Sequence, residues 1–244
     1  NKSKNKNKFR MNLLVLTILF IFLVSLVSVQ AITYAQHSPK WKPEWNDYIA
    51  EGIDTKAPKL LDETFLPPDA FEICPGLKGS STDQKKAFWA LFFASFAKFE
   101  SGFNPGTTFD EKALSQKYGK EIISEGLLQL SYGDGKNHPP CEISKAKQNV
   151  QDPKVNLQCG TVIMKNQIIK KGVLFPDGKH YYWSVLTKNR ANGVETYKKV
   201  QDYFLKYAPQ LGFCGEGDVS SASSQSSCQL TTNAQPNEFK NMLI

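Results

Sequence analysis

Three observations predict a mainly α-helical fold. The run from Ala87 to Phe99 carries hydrophobic residues on nearly every side of a 3.6-residue period, as a helix buried almost all round would. Val155, Val162, Ile163, Ile168 and Ile169 recur at helical spacing over Val155 to Lys170. No clear strand pair and no internal repeat is visible between them. At 244 residues and 41% hydrophobic content the chain can bury one sizeable core but not two.

The N-terminal region reads as a targeting segment. Lys-rich Asn1 to Arg10 precedes an apolar run from Leu13 to Val29, and the small residue Ala31 follows, with Val29 two positions before it. This is the pattern of a secretory signal peptide over 1–31, with Ala35 as a second cleavage point. The run is also long enough to span a bilayer, so an uncleaved anchor is the alternative. Export to a secreted or periplasmic location is the expectation, with no stable membrane association after removal of the signal.

Residues 32–79 form an N-terminal arm rich in Pro, Trp and charge, in which Trp41, Trp45 and Tyr48 suggest a short amphipathic element. Leu66-Pro67-Pro68-Asp69 and Cys74-Pro75-Gly76 read as turns. Ser81 with Gln84 three residues later is a capping-box pattern that starts the long helix. Ser101-Gly102-Phe103-Asn104-Pro105 stops it. Thr107 to Ser124 reads as a loop plus helix, Gly172 to Gly178 as a turn, and Tyr181 to Leu186 and Val194 to Tyr207 as further helices. The main domain covers 80–214. Ser-rich 215–244 reads as a flexible C-terminal tail.

Glu100 closes the apolar helix. A carboxylate there loses water, which favours its neutral form and raises its pKa. An acid kept protonated near neutrality is what cleavage of a glycosidic bond needs. The alternative is a helix-end Glu in solvent. Four motifs follow in order: Glu100-Ser101-x-x-Asn104-Pro105; Gly126-Leu127-Leu128-Gln129; Asp152-Pro153-x-x-Asn156-Leu157-x-x-Gly160; and the aromatic Tyr181-Tyr182-Trp183-Ser184.

This series resembles the soluble lytic transglycosylase (SLT) family of the lysozyme superfamily, over roughly Thr82 to Leu211. The resemblance implies a lysozyme-like, SLT or goose-type helical domain acting on peptidoglycan glycan strands without a cofactor. Glu100 would be the catalytic acid/base, and Ser101 would orient its carboxyl or the substrate. Gln129 would line the cleft, where its amide suits sugar hydroxyls and acetamido groups, and Gly126 would allow close backbone approach. The family's Ala-Tyr-Asn triplet is absent; Tyr182 is the candidate for its aromatic role, and Trp183 reads as core. Attack by the muramic acid's own hydroxyl would make the protein a lytic transglycosylase, the leading reading, and attack by water a lysozyme. Hydrolysis commonly uses a second carboxylate; Asp110, Glu111, Glu125 and Asp134 are candidates, Glu125 foremost because it adjoins the Gly-Leu-Leu-Gln turn. Acetylated strands are the expected substrate; a variant specialised for deacetylated strands, and a non-catalytic glycan-binding module, are the other readings.

Five cysteines suit an oxidising compartment. Cys141 and Cys159 bracket the loop before the second helix and are paired in expectation, as are Cys74 and Cys214 at the ends of the catalytic segment; Cys228 is left over and is an alternative to Cys214. A Cys159–His180 nucleophile is disfavoured beside other exported cysteines. His138, Cys141 and His180 lack the spacing of a zinc site, so no metal is expected. The formal charge is +7, of which five positive charges fall within Asn1 to Arg10. The remainder is too small to argue for nucleic acid, and the protein is expected to act as a monomer.

Overall fold

The computed structural model describes residues 31–178, 181–189 and 195–215. Nearly all of the expected signal peptide and Ser-rich tail, together with His180, Val194 and Cys228, lies outside them. Seven α-helices and one two-stranded sheet are seen among the described residues. They are α1 (Glu44–Lys56), α2 (Pro68–Ile73), α3 (Thr82–Glu100), β1 (Thr108–Asp110), α4 (Lys112–Tyr118), β2 (Ile123–Glu125), α5 (Asp134–Asn137), α6 (Pro153–Lys171) and α7 (Thr196–Tyr207). The fold is mainly helical, as the periodicity predicts, and agrees with a lysozyme-like domain.

The axis of the molecule is α3. Its capping box is formed in both directions, Ser81 Oγ accepting from the Gln84 amide and the Gln84 side chain accepting from the Ser81 amide. Ala87 through Ala97 are all buried, because α1 and α7 both pack on it. Phe88, Phe92 and Phe96 form a ladder of ring contacts along it, continued by Phe204 on one side and Trp183 on the other. Trp89 satisfies its indole N–H on the Leu60 carbonyl at 2.8 Å. Helix α6 begins with Pro153 behind an Asp152 cap that accepts from the Lys154 and Val155 amides, and it packs against α1.

The arm is bonded to this core. Asp69, buried at the start of α2, accepts from the amides of Leu174 and Phe175 at 2.9 Å, which fixes the turn after α6. His37 lies among Trp41, Phe103, Tyr203 and Tyr207 and shares a 3.1 Å hydrogen bond with the Tyr203 hydroxyl. Disulfides join Cys74 to Cys214 and Cys141 to Cys159. The first ties the end of α2 to the segment after α7. The second ties the loop after α5 to α6.

Two expectations about local structure are corrected. Residues 108–125 are a strand–helix–strand excursion, not a loop plus helix, with Thr108 opposite Glu125, Phe109 opposite Ser124 and Asp110 opposite Ile123. Strands of three residues are too short to show a period-2 pattern. Tyr181 to Leu186 is no α-helix: only Ser184–Leu186 turns, as a 3-10 turn. The aromatic run Tyr181-Tyr182-Trp183 favours extended backbone, and Trp183 is held there by its own indole bond (below).

Two measurements check this architecture. Replacing Cys141 and Cys159 together is expected to lower stability by roughly 3 kcal/mol, from the loop their 18-residue separation closes in the unfolded chain; an unchanged denaturation midpoint would contradict it. Burial lowers the His37 pKa to about 4 from an ordinary 6.5. Within that window the unfolded chain binds the extra proton, so stability falls as pH drops from 6.5 towards 4. A His37→Gln protein should lose less Tm over that interval than the wild type; an equal loss would assign the acid sensitivity to other groups.

Candidate active site

Four sequence motifs converge on one turn, Gly126 to Leu130. The ends of the turn are closed by reciprocal backbone bonds between Glu125 and Leu130. The Gly126 amide donates to the Thr107 carbonyl. The Ser101 hydroxyl donates to the Leu127 carbonyl at 2.9 Å. Asn156 accepts from the Leu128 amide at 2.9 Å and donates to the carbonyls of Val150 and Glu125. The Trp183 indole donates to the Leu128 carbonyl at 2.9 Å.

Two glycines permit the approach. Gly126 has φ +80°, and a Cβ there would lie 2.5 Å from Asn156 Nδ2. Gly160 lets α6 pass the Leu128 side chain, whose Cδ1 would be 2.2 Å from an added Cβ. The close approach that Gly126 allows is therefore to Asn156. Ser101 likewise orients the turn through Leu127.

Beside this turn is a cleft of about 870 Å³ lined by Glu100, Glu111, Ser124, Gln129, Asp134 and Tyr182. Glu100 enters it from the last residue of α3, half-buried. Glu111 enters from the end of β1, where it precedes α4; its Oε1 accepts from the buried Ser124 hydroxyl at 2.8 Å. Gln129 reaches the cleft with its own φ at +50°, but its amide nitrogen donates to the carbonyls of Thr107 and Gly126. Tyr182 donates to buried Asp134 Oδ2 at 2.6 Å, an oxygen that also accepts from the Ser131 amide and hydroxyl. Burial, then the Asp134 carboxylate, then Glu100 and Glu111 push the Tyr182 phenol well above its ordinary pKa. It therefore stays a donor at all working pH values. The His138 ring lies edge-on to Tyr182, and burial lowers its pKa against the pull of Asp134.

The structure thus brings Glu100, Gln129 and Tyr182 to one cleft and adds Glu111, which adjacency to the Gly-Leu-Leu-Gln turn had ranked below Glu125. Glu125 instead accepts from Gln151 at 2.6 Å and lines a neighbouring cavity. Among the described residues that line the cleft the charged groups are Glu100, Glu111 and Asp134, with no Lys or Arg. Among the described residues no group of three His, Cys, Asp or Glu could hold a metal ion, and no helix is long and apolar enough to cross a membrane.

No family model and no curated protein matches the chain. Solved structures of Bd0314 DslA, a Bdellovibrio protein, do: the wild-type form and two Glu-to-Gln variants, each 27% identical, covering 70% of this chain and 90% of that one. The TM-score is 0.54 for the wild type and 0.55 for one variant.

Asn156 carries three of the bonds that shape the turn, so Asn156→Ala leaves buried backbone groups unpaired. A loss of about 2–4 kcal/mol is expected, with Tm and activity falling together. An Asn156→Ala protein of wild-type stability would remove Asn156 from this role.

Proposed function

We propose that this protein is an exported glycosidase that cleaves the β-1,4 bonds of peptidoglycan glycan strands by hydrolysis. The observation that carries the proposal is the presence of Glu100 and Glu111 in the lining of one cleft. The two glutamates replaced in the Bd0314 DslA variants stand 11 positions apart, which is also the separation of Glu100 and Glu111. Glu100, at the end of a buried helix, protonates the glycosidic oxygen as the bond breaks. Glu111, held by Ser124, is the second carboxylate: it activates water or stabilises the positive charge developing on the sugar. Tyr182, its one hydroxyl proton held by Asp134, stands where the family's triplet tyrosine is absent and offers the substrate its oxygen as an acceptor and its ring as a wall of the cleft. A second carboxylate has no necessary part in internal attack by the muramic acid hydroxyl, so its presence favours a lysozyme-type outcome over the anhydro sugar of a lytic transglycosylase. The disulfides fit the secreted or periplasmic setting of that substrate.

The charge of the cleft bears on the acetylation state of the strand. Gln129 has its donor engaged within the protein, which weakens the expectation that it reads acetamido groups. The Glu111 carboxylate, in a cleft with no Lys or Arg among its described lining residues, attracts the ammonium that deacetylation leaves on a sugar. Strands carrying free amino groups are therefore the favoured substrate.

Two measurements check the proposal. Mass analysis of fragments from purified sacculi should show reducing ends with the wild type. Cleavage should fall by at least about a hundredfold in Glu100→Gln, the loss of a general acid, with Tm retained; wild-type turnover in that folded variant would remove Glu100 from the role. Matched acetylated and deacetylated sacculi should be cut at different rates, faster when deacetylated. Equal rates would show that the cleft does not read the amino group, and faster cleavage of acetylated strands would restore the acetamido reading.

A further inference from the structure

The excursion β1–α4–β2 exposes apolar surface where nothing in the fold needs it. Phe109, Leu114 and Tyr118 are 60%, 41% and 58% exposed, and α4 buries none of its residues. All three line the cleft of Glu100 and Glu111. Phe109 stands opposite Ser124 in the hairpin, so it shares a face of the sheet with the hydroxyl that holds Glu111. Tyr118 stands at the other end of α4 on a wall common to this cleft and a second cavity of about 740 Å³. Ile122, Ser131 and Asn137 belong to the same shared wall. The two cavities adjoin along these four residues, Tyr118 among them, and are together called the trough.

We propose that the trough is a single extended saccharide site, in which the strand stacks sugar faces on Phe109 beside the scissile bond and on Tyr118 where it passes into the second cavity. This deepens the glycosidase reading and rests on it. Apolar C–H faces of pyranose rings pack on aromatic rings, while their hydroxyls need polar groups at the edges. The trough is lined by both: the aromatic side chains of Phe109 and Tyr118, and the polar groups of Ser131, Asn137 and Glu125. An exposed aromatic patch rimmed by polar groups and continuous with the carboxylate cleft marks a binding surface, and the strand that enters the cleft is the ligand already placed to cover it.

Peptide-free glycan oligomers of graded length separate stacking from a structural role. The wild-type kcat/KM should rise with length. In Tyr118→Ala it should fall about tenfold on long oligomers, which is 1.4 kcal/mol, and stay near wild type on the shortest oligomers that are cut. Tyr118→Phe should restore the length dependence, and Tm should hardly move because the side chain is exposed. An equal loss at every length, or an unchanged length profile, would overturn the proposal. If the wild type cleaves no oligomer, the glycosidase reading fails. Calorimetric binding of the same oligomers then decides the surface: tighter binding with length that depends on Tyr118 upholds it, and length-independent binding overturns it. A concentration-dependent dimer that Phe109→Ala dissolves would also overturn it, by assigning the patch to a second copy of the chain.

Discussion

The turn Gly126–Leu130 is the constraint on which the rest of the site depends. It is short, has one glycine and one glutamine with positive φ, and carries buried backbone groups that must be paired. The partners come from four separate parts of the chain: Ser101 after α3, Thr107 before β1, Asn156 on α6 and Trp183 after it. Satisfying these groups locks the end of α3, which bears Glu100, against the hairpin that bears Glu111. Pairing of backbone polar groups, rather than direct contact among catalytic side chains, accounts for most of the motif residues.

The division of labour among the carboxylates follows from their settings. Glu125 and Asp134 both hold structural bonds, one to Gln151 and the other to Tyr182 and Ser131. Glu111 accepts a single side-chain bond from Ser124 and opens into the cleft. Glu100 arrives from a long helix buried from Ala87 through Ala97, whose aromatic ladder fixes its position. A carboxylate that moves protons must face the substrate and keep a fixed position. Glu100 and Glu111 meet that description better than the other two.

Much of the fold was legible because it depends on a helix whose apolar residues cover all sides and on a capping box whose two residues stand three apart. The Cys141–Cys159 pair was legible because it brackets one loop, whereas sequence left Cys74 open between Cys214 and Cys228, and the structure pairs it with Cys214. The hairpin was hidden because three-residue strands with exposed residues leave no alternation to read. The extended course of Tyr181 to Trp183 was hidden because a tertiary bond, from the Trp183 indole to Leu128, decides it. Glu111 was visible as a carboxylate, but its place beside Glu100 depends on that hidden hairpin. The Asp152-Pro153-x-x-Asn156 motif was readable as a helix start; that Asn156 faces back to hold another turn was not. The Asp69 anchor had no sequence signal at all, since its partners lie more than a hundred residues away.

The central claim is that two carboxylates in one cleft direct water at the glycosidic bond. Cleavage of purified sacculi in water enriched in oxygen-18 tests it most directly, because the source of the new oxygen appears in the mass of the product. Hydrolysis by Glu100 and Glu111 requires one heavy oxygen at each new reducing end. Unlabelled ends carrying an anhydro sugar would mean that the muramic acid hydroxyl is the nucleophile, and would contradict the role given to Glu111.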